Sequence, residues 1–178
     1  QQIRGEFEVN PAKGSEHDLI VKTNNALFVI EAKLNANNNT VPSSTNPSVR
    51  QKYESGCHRW YNEVFQSNFN EIALSNRKYE LLRFWLLGTK RAGLLHINFC
   101  LINLVPQENE EDIESVFKKH IKETPSRIFM RASWEAIYSY ILNTDFTNIE
   151  KDVIIKYFEE KTVGYDKKGR LKKAFALK

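Results

Sequence analysis

The sequence predicts an α/β fold in which helices flank a central mixed β-sheet that has an N-terminal β-meander. Three observations support this prediction: alternating apolar patterns near the N-terminus, apolar residues at helical spacing after them, and a strongly apolar segment over 95–105 (LHINFCLINLV). Alternation with period two is typical of strands, and spacings of three and four are typical of helices. A short continuous apolar run is typical of a strand buried on both faces. We expect one domain of 178 residues.

Three short segments form the predicted meander: 3–9 (IRGEFEV), 16–23 (EHDLIVKT) and 26–34 (ALFVIEAKL). Asn24-Asn25 separates the last two segments and tolerates the positive φ angles of a tight two-residue turn, so it predicts a hairpin. The polar stretch Asn35–Pro47 follows. It contains too few apolar residues to pack, and we expect a surface loop there.

The rest of the chain is predicted to consist mainly of helices. Ser48 and Gln51 have the form of a capping box, which predicts a helix over 48–66. A second helix is expected over 77–92, before the buried strand. These elements complete a core over about 3–105, and a C-terminal extension covers 106–178. The extension is expected to contain a helix, a strand, a helix and a last helix that Thr147 caps with Glu150 (109–122, 127–131, 133–143 and from 147 onwards).

Charge restricts the class of protein only loosely. The chain has 26 Lys and Arg against 22 Asp and Glu, a net charge of +4, which suits a polyanionic partner and also suits proteins that have none. Much of the excess lies in the run 167–178 (KKGRLKKAFALK). This run either lies along phosphates or is a solvated tail, and its few apolar residues favour the tail.

The cysteines and the hydropathy indicate the compartment. Cys57 and Cys100 lie far apart in apolar contexts, so we expect reduced thiols inside a cell. No segment has the roughly 18 apolar residues that a membrane span needs, and no signal-peptide pattern opens the chain. We therefore expect a soluble cytoplasmic protein.

A two-residue turn at Asn24-Asn25 determines which residues of the hairpin face each other. Thr23 then faces Ala26, so cross-strand partners have numbers that sum to 49 and Asp18 faces Glu31. Opposed side chains have Cβ atoms about 5 Å apart, and alternate residues share a face, so Lys33 lies on the Glu31 face. Three ionisable groups are thus predicted to meet on one patch of the sheet.

Two opposed carboxylates in an apolar hairpin repel each other unless a positive charge compensates them. Mg²⁺ or Mn²⁺ can do so, because these hard cations bind carboxylates and fill their other positions with water and phosphate oxygens. We expect Asp18, Glu31 and the backbone carbonyl of Ala32 as metal ligands. Such an ion activates water for attack at phosphorus, and Lys33 can position that water or stabilise the oxyanion. The structural alternative is a surface hairpin in which Asp18, Glu31 and Lys33 form exposed ion pairs without a metal ion.

Asp18, followed thirteen residues later by Glu31-Ala32-Lys33 at the end of an apolar strand, resembles the signature of the PD-(D/E)XK, or restriction-endonuclease-like, nuclease superfamily. The resemblance covers the core, roughly 3–105. It implies that Asp18 and Glu31 bind Mg²⁺ and that Lys33 assists the attacking water. It also implies a metal-dependent nuclease that acts on nucleic acid, DNA rather than RNA, either as a monomer or as a homodimer.

The sequence departs from the superfamily pattern in two ways. His17 stands where Pro often precedes the first acidic residue. The helix that usually precedes the first strand, and often carries a further acidic residue, is missing from the sequence. Glu6 or Glu8 is a candidate for that carboxylate, or the residue lies upstream of Gln1, since we expect the chain to be a fragment.

Three neighbours of the motif have both a functional and a structural interpretation. Glu16 pairs with Lys33 by the same sum of 49, so it either orients the lysine or is a charge at the strand end. Gln51 lies where some members of the superfamily place a Gln near the site, but the capping box also explains it. His17 falls on the opposite face of the hairpin, where a structural role is expected.

Three functions remain open. The first is a Mg²⁺-dependent endonuclease in restriction, defence or repair. The second is a nuclease-like domain that binds nucleic acid or a protein without cutting. The third is a metal-independent interaction module, which a different hairpin register would favour.

Overall fold

A mixed four-stranded sheet forms the centre of the fold. The computed structural model describes residues 17–44, 46–55, 59–145 and 151–177. The strands are β1 (Leu19–Lys22), β2 (Ala26–Ala32), β3 (Asn98–Val105) and β4 (Arg127–Ser133), in that order across the sheet. β1 pairs antiparallel with β2, whereas β2, β3 and β4 pair in parallel. The predicted α/β class with a mixed sheet is confirmed, and the strand expected over 3–9 lies outside the described residues.

Helices flank this sheet in the part of the chain that the structure describes. They are α1 (Pro47–Glu54), α2 (Trp60–Val64), a π-helix (Asn70–Ser75), α3 (Tyr79–Leu95), α4 (Ile113–Lys118), α5 (Trp134–Asn143) and α6 (Lys151–Glu160). A separate antiparallel hairpin consists of β5 (Thr162–Tyr165) and β6 (Leu171–Lys173). Neither the π-helix nor this hairpin was predicted from the sequence.

The main core lies on the face of the sheet that α3 covers. Leu27 and Val29 of β2 pack there with Leu101 of β3 and with Trp85 of α3. Trp85 is fully buried, and its Nε1 donates to the backbone oxygen of Val64 at 3.0 Å. α3 ends just before β3 begins, so its last turn lies at the amino end of β3. Since β2 and β3 are parallel, the first turn of α3 lies at the opposite edge of the sheet, at the carboxyl end of β2.

The helix expected over 48–66 is two shorter helices. Asn46 caps α1, because its side chain accepts the backbone N–H of Ser48 at 3.0 Å. The capping box proposed for Ser48 and Gln51 is therefore wrong. Arg59 has a φ of 67°, a left-handed conformation that interrupts any continuous helix before α2.

Two further elements differ from the prediction in length. α3 extends beyond the expected 77–92, and His96, with a φ of 54°, ends it, so β3 starts later than the predicted strand. α4 has six residues, far fewer than the helix expected over 109–122.

β4 joins the central sheet, so the sheet extends past the core boundary expected at residue 105. Thr147 and Glu150, the expected caps of the last helix, lie outside the described residues.

The C-terminal run expected to be a solvated tail is instead folded. Part of it forms β6, and Ala174 and Phe175 are then buried with Tyr138 of α5 and Phe158 of α6 in a second apolar cluster. Two adjacent apolar residues, which the charged run obscured, anchor this end of the chain. The prediction of a tail is wrong for the described residues.

Cys100 is a buried thiol in β3, and burial raises its pKa to about 11. This agrees with the expected unreactive core thiol, and Cys57 lies outside the described residues. No helix in the described ranges is long and apolar enough to cross a membrane.

Two glycines of α3 are predicted to respond in opposite ways to the same substitution. A Cβ on Gly88 would lie 2.2 Å from the Phe99 ring, whereas one on Gly93 would meet Trp60 at 3.6 Å, an ordinary contact. Alanine gains about 1 kcal/mol over glycine inside a helix, and overpacking a core costs about 1–3 kcal/mol. Urea denaturation should show that Gly88→Ala lowers the free energy of unfolding and that Gly93→Ala raises it. If both variants changed the free energy of unfolding in the same direction, the packing described for the two glycines would be contradicted.

Candidate active site

The hairpin of β1 and β2 has the register that the sequence predicts. Leu19 pairs with Ile30 and Lys22 pairs with Leu27, so partner numbers sum to 49. Continuing this register by one residue beyond β1 places Asp18 opposite Glu31. The turn closes with a bond from Thr23 N–H to the Ala26 oxygen at 2.8 Å, without the positive φ expected for its two asparagines. The different register that would have favoured an interaction module is not found.

The Asp18 carboxylate is fixed against the end of β2. Its Oδ2 accepts the backbone N–H of Ala32 at 2.7 Å, in place of the ladder bond that β1 no longer supplies. In an antiparallel pair, the N–H and C=O of one residue point to the same neighbour, so the carbonyl of Ala32 also points to this edge. The second carboxylate oxygen of Asp18 is not part of this bond. Asp18 and the Ala32 carbonyl therefore present oxygens at one edge of β2.

The Glu31 carboxylate is buried, at 4% exposure, on the same sheet face as Leu27 and Val29. Burial raises its pKa to about 7, although the hydrogen bond and charge of Lys33 act in the opposite direction. The negative charges of Asp18 and Glu80 add to the rise. An ionised Glu31 is thus costly in this position unless a cation lies beside it.

The Lys33 ammonium lies between two carboxylates. Its Nζ is in close contact with Glu31 Oε1 and donates to Glu80 Oε2 at 3.2 Å. Burial alone would lower the pKa of Lys33, but the hydrogen bonds and charges of these two carboxylates outweigh it and raise the pKa. Lys33 is therefore protonated in the metal-free protein.

Glu80 is the site residue that the sequence analysis missed. It lies in the first turn of α3, and its backbone N–H donates to Thr40 Oγ1 at 2.9 Å. Thr40 also accepts the N–H of Tyr79 on its backbone oxygen at 3.1 Å. The chain order could have pointed to Glu80. A helix that leads into a strand parallel to β2 must begin at the carboxyl end of β2, so an acidic residue in the first turn of that helix lies near Glu31 and Lys33.

A buried polar network adjoins this site and includes Asn38 from the segment Asn35–Pro47. Asn103 of β3 pairs in register with Glu31, and Asn38 Nδ2 donates to Asn103 Oδ1 at 2.7 Å. Asn38 also donates to Glu110 Oε2 at 2.7 Å, and it is completely buried. The segment was expected to be too polar to pack. Most of its described residues are exposed, as expected for a surface loop, and Asn38 is an exception whose Nδ2 finds acceptors inside the protein.

The backbone of Lys33 is held from the other side by α5. Trp134 Nε1 donates to the Lys33 oxygen at 2.9 Å, and the Lys33 N–H donates to the Leu104 oxygen at 2.8 Å. Both backbone groups of Lys33 are thus bonded just beyond the end of β2. This restricts the direction of its side chain.

The other residues proposed near the motif contribute less. Gln51 is exposed on α1, and no hydrogen bond within the described residues joins its side chain to the motif. His17 was expected on the opposite face of the hairpin, but its ring packs edge-on against Phe84 of α3, the helix that covers the Glu31 face, with ring centroids 4.3 Å apart. Burial, aided by the charge of Arg83, lowers its pKa to about 4. His17 is therefore neutral at physiological pH. Glu6, Glu8 and Glu16 lie outside the described residues.

The donor set suits a cation that needs only a few protein ligands. Over the described ranges, no group of three or more His, Cys, Asp or Glu side chains is arranged to hold a metal ion. Mg²⁺ commonly takes one or two carboxylates and completes its octahedron with water and phosphate oxygens. Asp18, Glu31 and the Ala32 carbonyl are hard oxygen donors of this kind. The residues present fit such an ion.

The chain was compared with known proteins at three levels. No family model, no curated protein and no solved structure matches it.

Metal binding is predicted to stabilise the folded protein. A ligand that binds only the folded state at about 100 times its dissociation constant adds roughly 2.7 kcal/mol. For a domain of this size, Mn²⁺ should then raise the melting temperature by about 5–10 °C in differential scanning calorimetry. Asp18→Asn and Glu31→Gln should remove most of the rise, and Lys22→Gln on β1 is the control. A rise that survives both site variants would place the ion elsewhere.

The stability of the metal-free protein should depend on the titration of Glu31. Its folded pKa of about 7 lies above the ordinary value of 4.5, so between these values the folded chain binds more protons than the unfolded chain. Stability therefore falls as the pH rises from 4.5 to 7, by an amount on the order of 3 kcal/mol. Urea denaturation in EDTA should show this fall in wild type relative to Glu31→Gln. Parallel pH profiles for the two proteins would contradict the burial of an acidic group here.

Proposed function

We propose that this chain is a Mg²⁺-dependent nuclease of the PD-(D/E)XK type that hydrolyses phosphodiester bonds of DNA. The observation that carries the proposal is the hairpin register, since it brings Asp18 to the end of β2 where Glu31 is buried and Lys33 follows. A strand pattern alone would not require these three side chains to meet. The α/β sheet with an antiparallel hairpin followed by a parallel strand is compatible with the restriction-endonuclease-like fold.

Each residue of the site has a defined chemical task in this proposal. Asp18 and Glu31, with the carbonyl of Ala32, would hold the divalent ion, and that ion would supply charge neutralisation and a more acidic water. Lys33 is held in one place by Glu31 and Glu80, so its ammonium can orient the attacking water or stabilise the negative charge that develops on the phosphate. Glu80 acts through Lys33 and is a positioning residue.

The location of the site supports the proposal. Ligands of α/β sheets bind outside the carboxyl ends of the strands, where helix starts and loops meet. Glu31, Lys33 and Asn103 lie at the carboxyl ends of the parallel strands β2 and β3.

Cleavage of plasmid DNA tests the proposal. Wild type should convert supercoiled plasmid to nicked or linear DNA with Mg²⁺ or Mn²⁺ and not with EDTA. Asp18→Ala and Lys33→Ala should lower the rate by about 10²–10⁴, the range typical of lost acid–base or electrostatic groups. Glu80→Gln should cause a smaller loss, because it weakens the positioning of Lys33 only. Lys22→Ala, on the same hairpin, is the matched control and should cut at the wild-type rate.

Two results would contradict the nuclease. One is wild type that leaves both DNA and RNA intact with every divalent ion tested. The other is equal cutting by wild type, Asp18→Ala and Lys33→Ala. Binding of nucleic acid without cutting would favour a catalytically inactive nuclease-like domain.

A further inference from the structure

The positive charge of the chain is concentrated on the hairpin of β5 and β6. Residues 161–173 contain six Lys and Arg and one Asp, a net charge of +5, whereas the whole chain carries +4. The rest of the chain therefore sums to −1. Asp166 is occupied within the turn, since Arg170 Nε donates to its Oδ2 at 2.9 Å and the N–H groups of Lys168 and Arg170 donate to its Oδ1. The positive charges of Lys167, Lys168 and Lys172 remain on the exposed surface.

The two acidic residues that precede the hairpin are engaged on helices. Tyr138 donates its hydroxyl to Glu159 Oε1 at 3.2 Å, and Glu160 pairs with Lys156 on α6 at 3.8 Å. These contacts direct the acids to neighbours on α5 and α6. The hairpin thus keeps a strongly positive surface.

The same hairpin exposes an aromatic side chain. Tyr165 is 73% exposed and Leu171, its partner across the hairpin, is 62% exposed. Gly164, with a φ of 85°, lies where the pairing of β5 is irregular, and such a bulge changes the direction of the strand end. An exposed aromatic ring among cations is the combination with which proteins hold the bases and phosphates of single strands.

The hairpin is anchored to the body of the protein. Ala174 and Phe175, directly after β6, are buried in the second apolar cluster. Glu135 of α5 accepts the N–H of Ala176 on Oε1 at 3.1 Å and the N–H of Gln107 on Oε2 at 2.7 Å. One carboxylate therefore ties the end of the hairpin to the loop after β3. An arm fixed in this way loses little freedom when it binds a ligand.

The anchored hairpin lies close to the candidate active site. Trp134, which donates to the Lys33 oxygen, has its ring centroid 5.9 Å from that of Phe175. A cavity of about 180 Å³ is lined by Asn35, two residues after Lys33, and by Lys172 of β6. A nucleic acid strand that enters the site is therefore within reach of the hairpin.

We propose that the β5–β6 hairpin is an arm that holds the nucleic acid backbone next to the candidate site, through Lys167, Lys168 and Lys172, while Tyr165 stacks on a base of a single-stranded segment. The identity of the ligand rests on the proposed function. Contacts with phosphates carry no sequence information. The arm therefore supplies affinity and position along the strand.

Fluorescence anisotropy tests the arm, with labelled single-stranded and duplex DNA in EDTA so that no cleavage occurs. The triple variant Lys167→Gln/Lys168→Gln/Lys172→Gln should bind about 10- to 100-fold more weakly at low salt. A plot of log K against log salt has a negative slope, and each lost phosphate contact makes it shallower by about 0.7–0.9. The magnitude of the slope should therefore decrease by roughly two. The control Arg91→Gln/Lys118→Gln/Lys119→Gln removes the same charge from α3, from α4 and from the residue after α4, and it should keep the wild-type slope.

Stacking of Tyr165 on a base is tested by comparing the binding of single-stranded DNA with that of duplex DNA. Tyr165→Ala should weaken single-strand binding by about tenfold, the usual range for a lost base–aromatic contact, and should leave duplex binding within about twofold. Tyr165→Phe should restore single-strand binding, because the ring is kept. An equal loss on both DNA forms would contradict stacking on a base.

Binding and cleavage are measured separately, so the two proposals fail in different ways. Wild type that cuts DNA while the hairpin triple binds and cuts normally would overturn the arm alone. Loss of binding in the triple, together with a wild type that never cuts, would support the arm and overturn the nuclease. The arm is also overturned if wild type binds no nucleic acid, or if the triple loses affinity only for anionic lipid vesicles.

Discussion

The Glu31 carboxylate is buried at the end of a strand, and the site depends on the cation that lies beside it. Lys33 supplies that positive charge and extends the contact to Glu80, which joins the end of β2 to the first turn of α3. Thr40 fixes the same turn through the N–H of Glu80. A buried carboxylate left without its lysine would keep its desolvation cost and lose its compensation, so the strand end and the helix start depend on the two ion pairs of Lys33.

The buried Glu31–Lys33 pair and its polar neighbours stabilise the fold less than well-packed apolar residues would at the same positions. Buried polar networks are tolerated when their members have partners, and Asn38, Asn103 and Glu110 bond to one another beside Glu31. Natural proteins depart from simple core packing mainly where a site requires it. The polar carboxyl edge of β2 and β3, next to an apolar core that α3 covers, is consistent with such a site.

The parts of the structure that the sequence predicted are those set by local rules. The register of the hairpin follows from a two-residue turn and strand alternation, so Asp18 could be placed opposite Glu31 before any coordinates. Glu80 could not be found in the same way, since its position depends on where α3 crosses the sheet. Asn38 was assigned to a surface loop because its buried partners are distant in sequence. The β5–β6 hairpin was missed because its strands are short, charged and interrupted at Gly164.

Asp18, Glu31 and the Ala32 carbonyl are proposed to hold one divalent ion. A crystal of the protein soaked in Mn²⁺ and measured near the manganese absorption edge tests this proposal directly. We expect one anomalous difference peak within about 2.0–2.4 Å of a carboxylate oxygen of Asp18 and of Glu31. A peak bound by other residues, or none at a Mn²⁺ concentration that supports DNA cleavage, would contradict it.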